Sequence, residues 1–264
     1  MHTNSIINKK YDVVIKAHQK DYYKLDLVVE SLRYLNPQPE NVYILSPDGF
    51  YPQGTTYDDK IIYITDDQVT PFIDKTRLNH RPNWNWINLV SILQTFTEND
   101  LYFDVQSDNF FTQPLDLFDA NGRPRIFQSI SNECNNKGHR PYFEFSENVF
   151  GLPKMGEGYS YIIEFLMYDR KLLKKLIDQY ETFDSMMETI YTNVNQQSYP
   201  ADQEIFGNLI EKHFPNQYEI VKNVPVEIAG SYNVSPPREE LVQFIENTKQ
   251  NKKECIACSY HTWI

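Results

Sequence analysis

Short apolar runs bounded by polar residues alternate along this chain with stretches where apolar residues recur every three or four positions. Tyr11-Asp12-Val13-Val14-Ile15 has the β-branched character of a buried parallel strand. Over 24–35, Leu25, Val28, Val29, Leu32 and Leu35 fall at helical spacing, and Pro37 and Pro39 stop the helix. Residues 41–45 read as a second strand closed by the turn Ser46-Pro47-Asp48-Gly49, and 60–64 as a third. A polar stretch, 77–83, leads into a helix over about 84–97, and Leu101-Tyr102-Phe103-Asp104-Val105 is a fourth strand. Strands alternating with helices predict an α/β fold with a mostly parallel sheet flanked by helices.

The second half continues the pattern. Residues 164–168 read as a strand, with Asp169 placed to cap a helix carrying Leu172, Leu173, Leu176, Ile177 and Tyr180. After Pro200, Ile205, Phe206, Leu209, Ile210 and Phe214 predict a helix over about 202–214. Residues 230–253 hold Gly230, Pro236, Pro237 and a charged helix-like stretch. They read as a linker or docking arm, a surface excursion and not a second domain. The expected organisation is one domain over 1–264, with a leader over 1–10 and a C-terminal excursion over 230–264 that returns to the site.

Composition narrows the function classes. A 41% hydrophobic share, with 19 Tyr and 16 Phe, supplies a core and excludes disorder. The formal net charge of −11 leaves no broad positive surface for nucleic-acid phosphates, so a phosphorylated ligand would need a metal or a few local cations. No run reaches the roughly 18 apolar residues that span a bilayer, and MHTNSIINKKYD lacks the apolar core of a signal peptide; the expected location is cytoplasmic, in a host cytoplasm if the source is viral. Cys134, Cys255 and Cys258 are an odd set and no disulfide framework. Cys255 and Cys258 have the spacing of half a zinc site, but no second pair follows, and incidental thiols are the simpler reading.

The candidate chemistry gathers after the fourth strand, at Gln106-Ser107-Asp108-Asn109. Open α/β sheets bind ligands at the carboxyl ends of their strands, so a carboxylate here is placed to hold a metal; a plain Asx turn before Phe110-Phe111 is the alternative.

Arg81-Pro82-Asn83-Trp84 and its helix, followed by LYFDVQSDNFFTQPLDLFD, resemble the heart of GT-A (Rossmann-like) glycosyltransferases. The resemblance is to a bacterial and viral family related to glycosyltransferase family 8, whose pattern is R-P-G-W, a helix, an apolar strand and D-x-D-[ST]. Lys20-Asp21, Phe165 to Arg170, and Asp202-Gln203-Glu204-Ile205-Phe206-Gly207-Asn208 agree in order and spacing, over about 11–215. Ser259-Tyr260-His261 resembles the C-terminal histidine segment that supplies a metal ligand in family 8.

The resemblance implies transfer of a sugar from a nucleotide-sugar donor, a UDP-sugar by analogy, to a glycan or other hydroxyl acceptor. It implies Mn²⁺ or Mg²⁺ on the donor diphosphate. Asp108 would be the direct ligand and His261 would complete the site. Gln106 stands where the first acid belongs; its amide oxygen can coordinate or bond a ribose hydroxyl but brings no charge. Asp202 would act as general base for an inverting displacement, or Gln203 at the β face would suit retention; Glu204 is a third candidate, and helix capping is the alternative for Asp202. The loop from Lys16 to Asp21, with Ala17 and His18 in it, would frame the base and ribose through its backbone amides and Asp21, with Gln106 and Ser107 beside it, while Arg77, Arg81 and Asn85 reach diphosphate or sugar. Trp84 and Trp86 would stack on sugar or join the core, and 134–150 is an acceptor-binding segment or a long loop. The rivals are a silent nucleotide-sugar or carbohydrate-binding module, suggested by Gln106, and a nucleotidyltransferase. The latter wants a glycine-rich loop after the first strand, and KAHQKD has no glycine.

Overall fold

The computed structural model describes residues 9–50, 52–69, 96–129, 139–155, 158–195, 198–232 and 235–263. Strands β1 (Asp12–Lys16), β3 (Val42–Ser46), β4 (Ile61–Thr65), β5 (Leu101–Gln106) and β9 (Phe165–Asp169) form a sheet ordered β4-β3-β1-β5-β9. All neighbours are parallel except β5 and β9. The expected α/β class and mostly parallel sheet are therefore observed. The β-branched and aromatic runs are buried because helices cover the sheet: Val13, Ile15, Val42, Ile44, Phe103 and Val105 are sealed from solvent.

Helix α1 (Leu25–Ser31) follows a 3-10 turn over Gln19–Lys24 and buries Leu25, Val28 and Val29 at the predicted spacing. The tail of that predicted helix is instead a 3-10 turn and a short strand, β2 (Leu35–Asn36), paired with β7 (Leu115–Asp116). A four-residue helix, α2 (Asp66–Val69), follows β4. The helix expected over 84–97 lies outside the described residues up to position 95.

After β5 the chain turns at Ser107-Asp108 into β6 (Asn109–Phe111), which leaves the central sheet for a second one formed with β11 (Val226–Tyr232) and β12 (Ala257–Trp263) in the order β11-β12-β6. Strand β8 (Arg125–Gln128) pairs with β10 (Glu219–Lys222). Residues 140–150, read as acceptor segment or loop, form helix α3 (Arg140–Phe150); it buries Phe145, Val149 and Phe150, and Gly151 closes it at φ 62° in the left-handed region. Helix α4 (Arg170–Ile177) is capped by Asp169 as predicted, and α5 (Phe183–Asn193) opens with a Thr182/Ser185 capping box.

Helix α6 (Asp202–His213) packs against Tyr161 so closely that a Cβ on Gly207 would lie 2.0 Å from that ring. The C-terminal segment corrects the linker reading. Strands β11 (Val226–Tyr232) and β12 (Ala257–Trp263) pair in parallel across helix α7 (Arg238–Asn251), and β12 pairs antiparallel with β6. Pro237 is the residue before α7, so the prolines start a helix where they were read as marking a tether.

Candidate metal centre

Polar residues recur at every second position of β5: Tyr102, Asp104 and Gln106 share one face, and Asp108 follows in the turn. The turn is held from several sides. Ser107 Oγ donates to Asp21 Oδ2 at 3.0 Å, Asp21 Oδ1 pairs with Lys24 at 2.9 Å, and buried Lys24 donates to the Tyr260 carbonyl at 3.4 Å. Tyr260 N donates to the Asp108 carbonyl at 3.1 Å. The turn after β5 is thereby fixed to both α1's entry and β12.

Pairing of β12 with β6 carries His261 back to the end of β5. Its Nε2 lies 3.2 Å from Glu164 Oε1, and Ser259 Oγ sits 3.4 Å from Asp108 Oδ1 and 3.5 Å from Glu164 Oε2. One ligand atom from each of Asp108, Glu164 and His261 falls within 4.8 Å of the others. Glu164 is buried, and Asp108 and His261 are half-buried.

The electrostatics mark this group as short of positive charge. Burial and then the neighbouring Glu164 raise the Asp108 carboxyl to about 6. Burial alone would lower the His261 imidazole, but its hydrogen bond to Glu164 and the charges of Glu164 and Asp108 outweigh this and raise it to about 9. A divalent cation would relieve the same crowding. Two carboxylates and an imidazole are a donor set suited to Mn²⁺, with Mg²⁺ served mainly by the carboxylates. The residues fit such an ion.

Glu164 is the residue that sequence reasoning missed. It stands across from Gln106, whose N–H donates to the Glu164 carbonyl at 2.9 Å. Gln106 is half-buried. Alternation could show only that Glu164 precedes an apolar strand; its position opposite Gln106 depends on the antiparallel register of β5 and β9, which no local pattern reveals.

The other candidates divide. Asp202, Gln203 and Glu204 point three ways from the start of α6 onto residues 160–168 and β1. Asp202 does not cap its helix, whose preceding residue is Ala201; its Oδ2 accepts from Tyr168 Oη at 2.8 Å and lies 3.5 Å from Lys16 Nζ. Gln203 docks its amide on the Ile163 backbone, accepting from the Ile163 N–H at 3.3 Å and donating to the Ile163 carbonyl. Glu204 is sealed from solvent and accepts from Ser160 Oγ and Tyr161 N, both at 3.0 Å. Gln203 and Glu204 thus brace the 160–163 segment, and the expectation that they face the reacting carbon is corrected.

On the nucleotide side, Ala17 is buried and its N–H bonds to Leu45 O at 2.8 Å, while exposed His18 starts the 3-10 turn. Asp21 is taken up by Lys24 and Ser107, so it braces the turn where a nucleotide contact was expected. Arg77, Arg81, Asn85, Trp84, Trp86 and Cys134 lie outside the described residues. Cys255 and Cys258 are free and buried, and burial pushes the Cys258 thiol up to about 12. No helix among the described residues is long and apolar enough to cross a membrane.

No protein-family model matches the chain, and no curated protein matches it in sequence. Among solved structures, it is similar to the galactosyltransferase LgtC in complex with donor and acceptor sugar analogs, at 13% identity and TM-score 0.46, covering 94% of this chain and 86% of that one. An active-site mutant of LgtC gives the same identity and TM-score 0.45. Mouse xyloside xylosyltransferase 1 in its apo form is 8% identical at TM-score 0.44, covering 95% of this chain and 97% of that one. At these values the likeness is one of overall shape, too loose to assign an activity.

Proposed function

We propose that this chain is a metal-assisted glycosyltransferase that uses a nucleotide-sugar donor and a hydroxyl acceptor. The observation that carries the reading is the Asp108–Glu164–His261 group at the carboxyl end of β5, where open α/β sheets bind their ligands. Asp108, Glu164 and His261 would hold Mn²⁺ or Mg²⁺. When bound, the ion supplies positive charge to the donor diphosphate and to the nucleoside diphosphate as it departs. The choice of a UDP-sugar rests on the sequence resemblance.

The chain's own residues have separable tasks. Asp108 is presented by a turn braced through Ser107, Asp21 and Lys24, so its carboxylate needs little ordering when ligand arrives. Glu164 replaces the charge that Gln106 lacks, which counts against a silent binding module. Asp202 Oδ2 lies 3.5 Å from Lys16 Nζ and accepts from Tyr168 Oη at 2.8 Å, contacts that hold the carboxylate in one orientation. Held in this way, it is placed to accept a sugar hydroxyl as a hydrogen bond.

The test is release of UDP from UDP-glucose, UDP-galactose, UDP-N-acetylglucosamine and UDP-xylose, with and without simple sugar acceptors, in Mn²⁺, Mg²⁺ or EDTA. Metal-dependent turnover that Asp108→Ala abolishes supports the reading. Turnover equal in EDTA, or none with any donor alongside no donor binding, removes it.

A further inference from the structure

One step inward from the Asp108 group, the same sheet face carries a second set of charges. Lys16 ends β1; its registered neighbour on β5 is Gln106, and Gln106 stands opposite Glu164, the residue before β9. Registered residues share a face on strands about 4.8 Å apart, so the Lys16 and Glu164 backbones are about 10 Å apart on one line across the sheet. Lys16 Nζ lies 2.9 Å from Asp104 Oδ2 and 3.5 Å from Asp202 Oδ2, with side chains 10%, 3% and 9% exposed. Tyr168 Oη donates to that same Asp202 oxygen at 2.8 Å, stacked on Tyr102.

The two carboxylates are not equivalent. Asp104 Oδ1 is buried with no hydrogen-bond partner among the described residues, and burial raises the Asp104 carboxyl to about 6 against the pull of Lys16. Asp202 has one oxygen held twice, while Oδ1 takes no hydrogen bond among the described residues. A buried ion pair seldom stabilises a fold more than apolar side chains of the same volume. What this arrangement provides, and apolar residues would not, is a carboxylate of fixed orientation against Lys16 and Tyr168, on the sheet face whose line from Lys16 runs through Gln106 to Glu164 of the metal group.

We infer that Lys16 and Tyr168 are positioning residues, which fix Asp202 so that its Oδ1 accepts one hydroxyl of the donor sugar and thereby selects among sugars. The inference rests on the nucleotide-sugar reading above. It is tested by calorimetry with Mn²⁺ and UDP, UDP-glucose, UDP-galactose, UDP-N-acetylglucosamine and UDP-xylose on wild type, Lys16→Met and Tyr168→Phe. In wild type the tightest and weakest sugar nucleotides differ about tenfold or more, the scale of one oriented polar contact.

Lys16→Met compresses that spread to about threefold while the Kd for UDP stays within about twofold, and Tyr168→Phe compresses it partly. Tyr168→Phe removes only a hydroxyl and keeps the test decisive if Lys16→Met does not fold. A spread unchanged in the folded variants, a wild type indifferent to the sugar, or a parallel loss of UDP and all sugar nucleotides each overturns the inference. Absence of any Mn²⁺-dependent UDP binding by wild type overturns the nucleotide-sugar reading itself and this inference with it, so the two failures are told apart by UDP alone.

Discussion

His261 on the last strand and Glu164, just before the antiparallel strand of the central sheet, meet at 3.2 Å, Nε2 to Oε1, beside the Asp108 carboxylate. The contact joins parts of the chain 97 positions apart (261 minus 164), and it exists because β12 pairs with β6, the strand that continues from β5 past Asp108. Backbone pairing therefore sets the geometry of the three side chains, and substitutions at them can be read as chemistry with the scaffold kept.

The exchange of acids between Gln106 and Glu164 gives the sharpest mutational test. Glu164→Gln leaves Asp108 as the only carboxylate in the group and should weaken Mn²⁺ binding about 10-fold to 100-fold, the range for a lost ligand or its close support. Gln106→Asp in that background returns a carboxylate to the opposite strand and should recover at least part of the loss, measured by Mn²⁺ titration with electron paramagnetic resonance. No loss in the single variant, or no recovery in the folded double variant, contradicts the assignment of Glu164 as the substitute acid.

Gly207 tests the packing behind Asp202. An added Cβ would lie 2.0 Å from Cγ of Tyr161, whose N–H bonds to Glu204 and whose hydroxyl bonds to Glu211 at 3.1 Å. Gly207→Ala is expected to destabilise by about 2 kcal/mol or more despite alanine's better helix propensity, because overpacking here displaces a ring fully sealed in the core. At about 2–4 °C per kcal/mol for a chain of this size, thermal unfolding should fall by about 4–8 °C. An unchanged or raised Tm contradicts the close approach.

Asp119 gives a pH test away from the metal group. Burial pushes its carboxyl up, but the backbone and guanidinium of Arg123 and the N–H of Asn121 prevail and lower it to about 2. An acid lowered in the folded state adds stability that is present above its unfolded value near 4 and disappears as pH falls toward 2. The difference in Tm between wild type and Asp119→Asn should be widest above pH 4 and shrink on acidification. A difference that grows toward pH 3 contradicts the sign.

The central strands were legible because each is a self-contained apolar run: β1, β3, β4, β5 and β9 lie within about one residue of their expected ranges. Asp169 as a cap was legible for the same reason, since capping is decided within four residues. What failed to show depends on pairing at a distance. Gly230, Pro236 and Pro237 read as tether residues, yet β11 and β12 become strands by pairing with each other and with β6. Glu164 reads from sequence only as the first residue of a strand over 164–168, and it is register that sets it opposite Gln106. Asp108 and His261 could be singled out by resemblance, but Gln203 and Glu204, singled out in the same way, turn to the 160–163 backbone and side chains instead.

The most direct test of the metal-centred account is calorimetric binding of UDP in Mn²⁺ and in EDTA to wild type and Asp108→Ala. The account predicts binding by wild type that depends on Mn²⁺ and is weakened at least tenfold by Asp108→Ala, with the variant's Tm in the absence of ligand close to wild type. UDP binding equal in EDTA, or unaffected by Asp108→Ala, would contradict it.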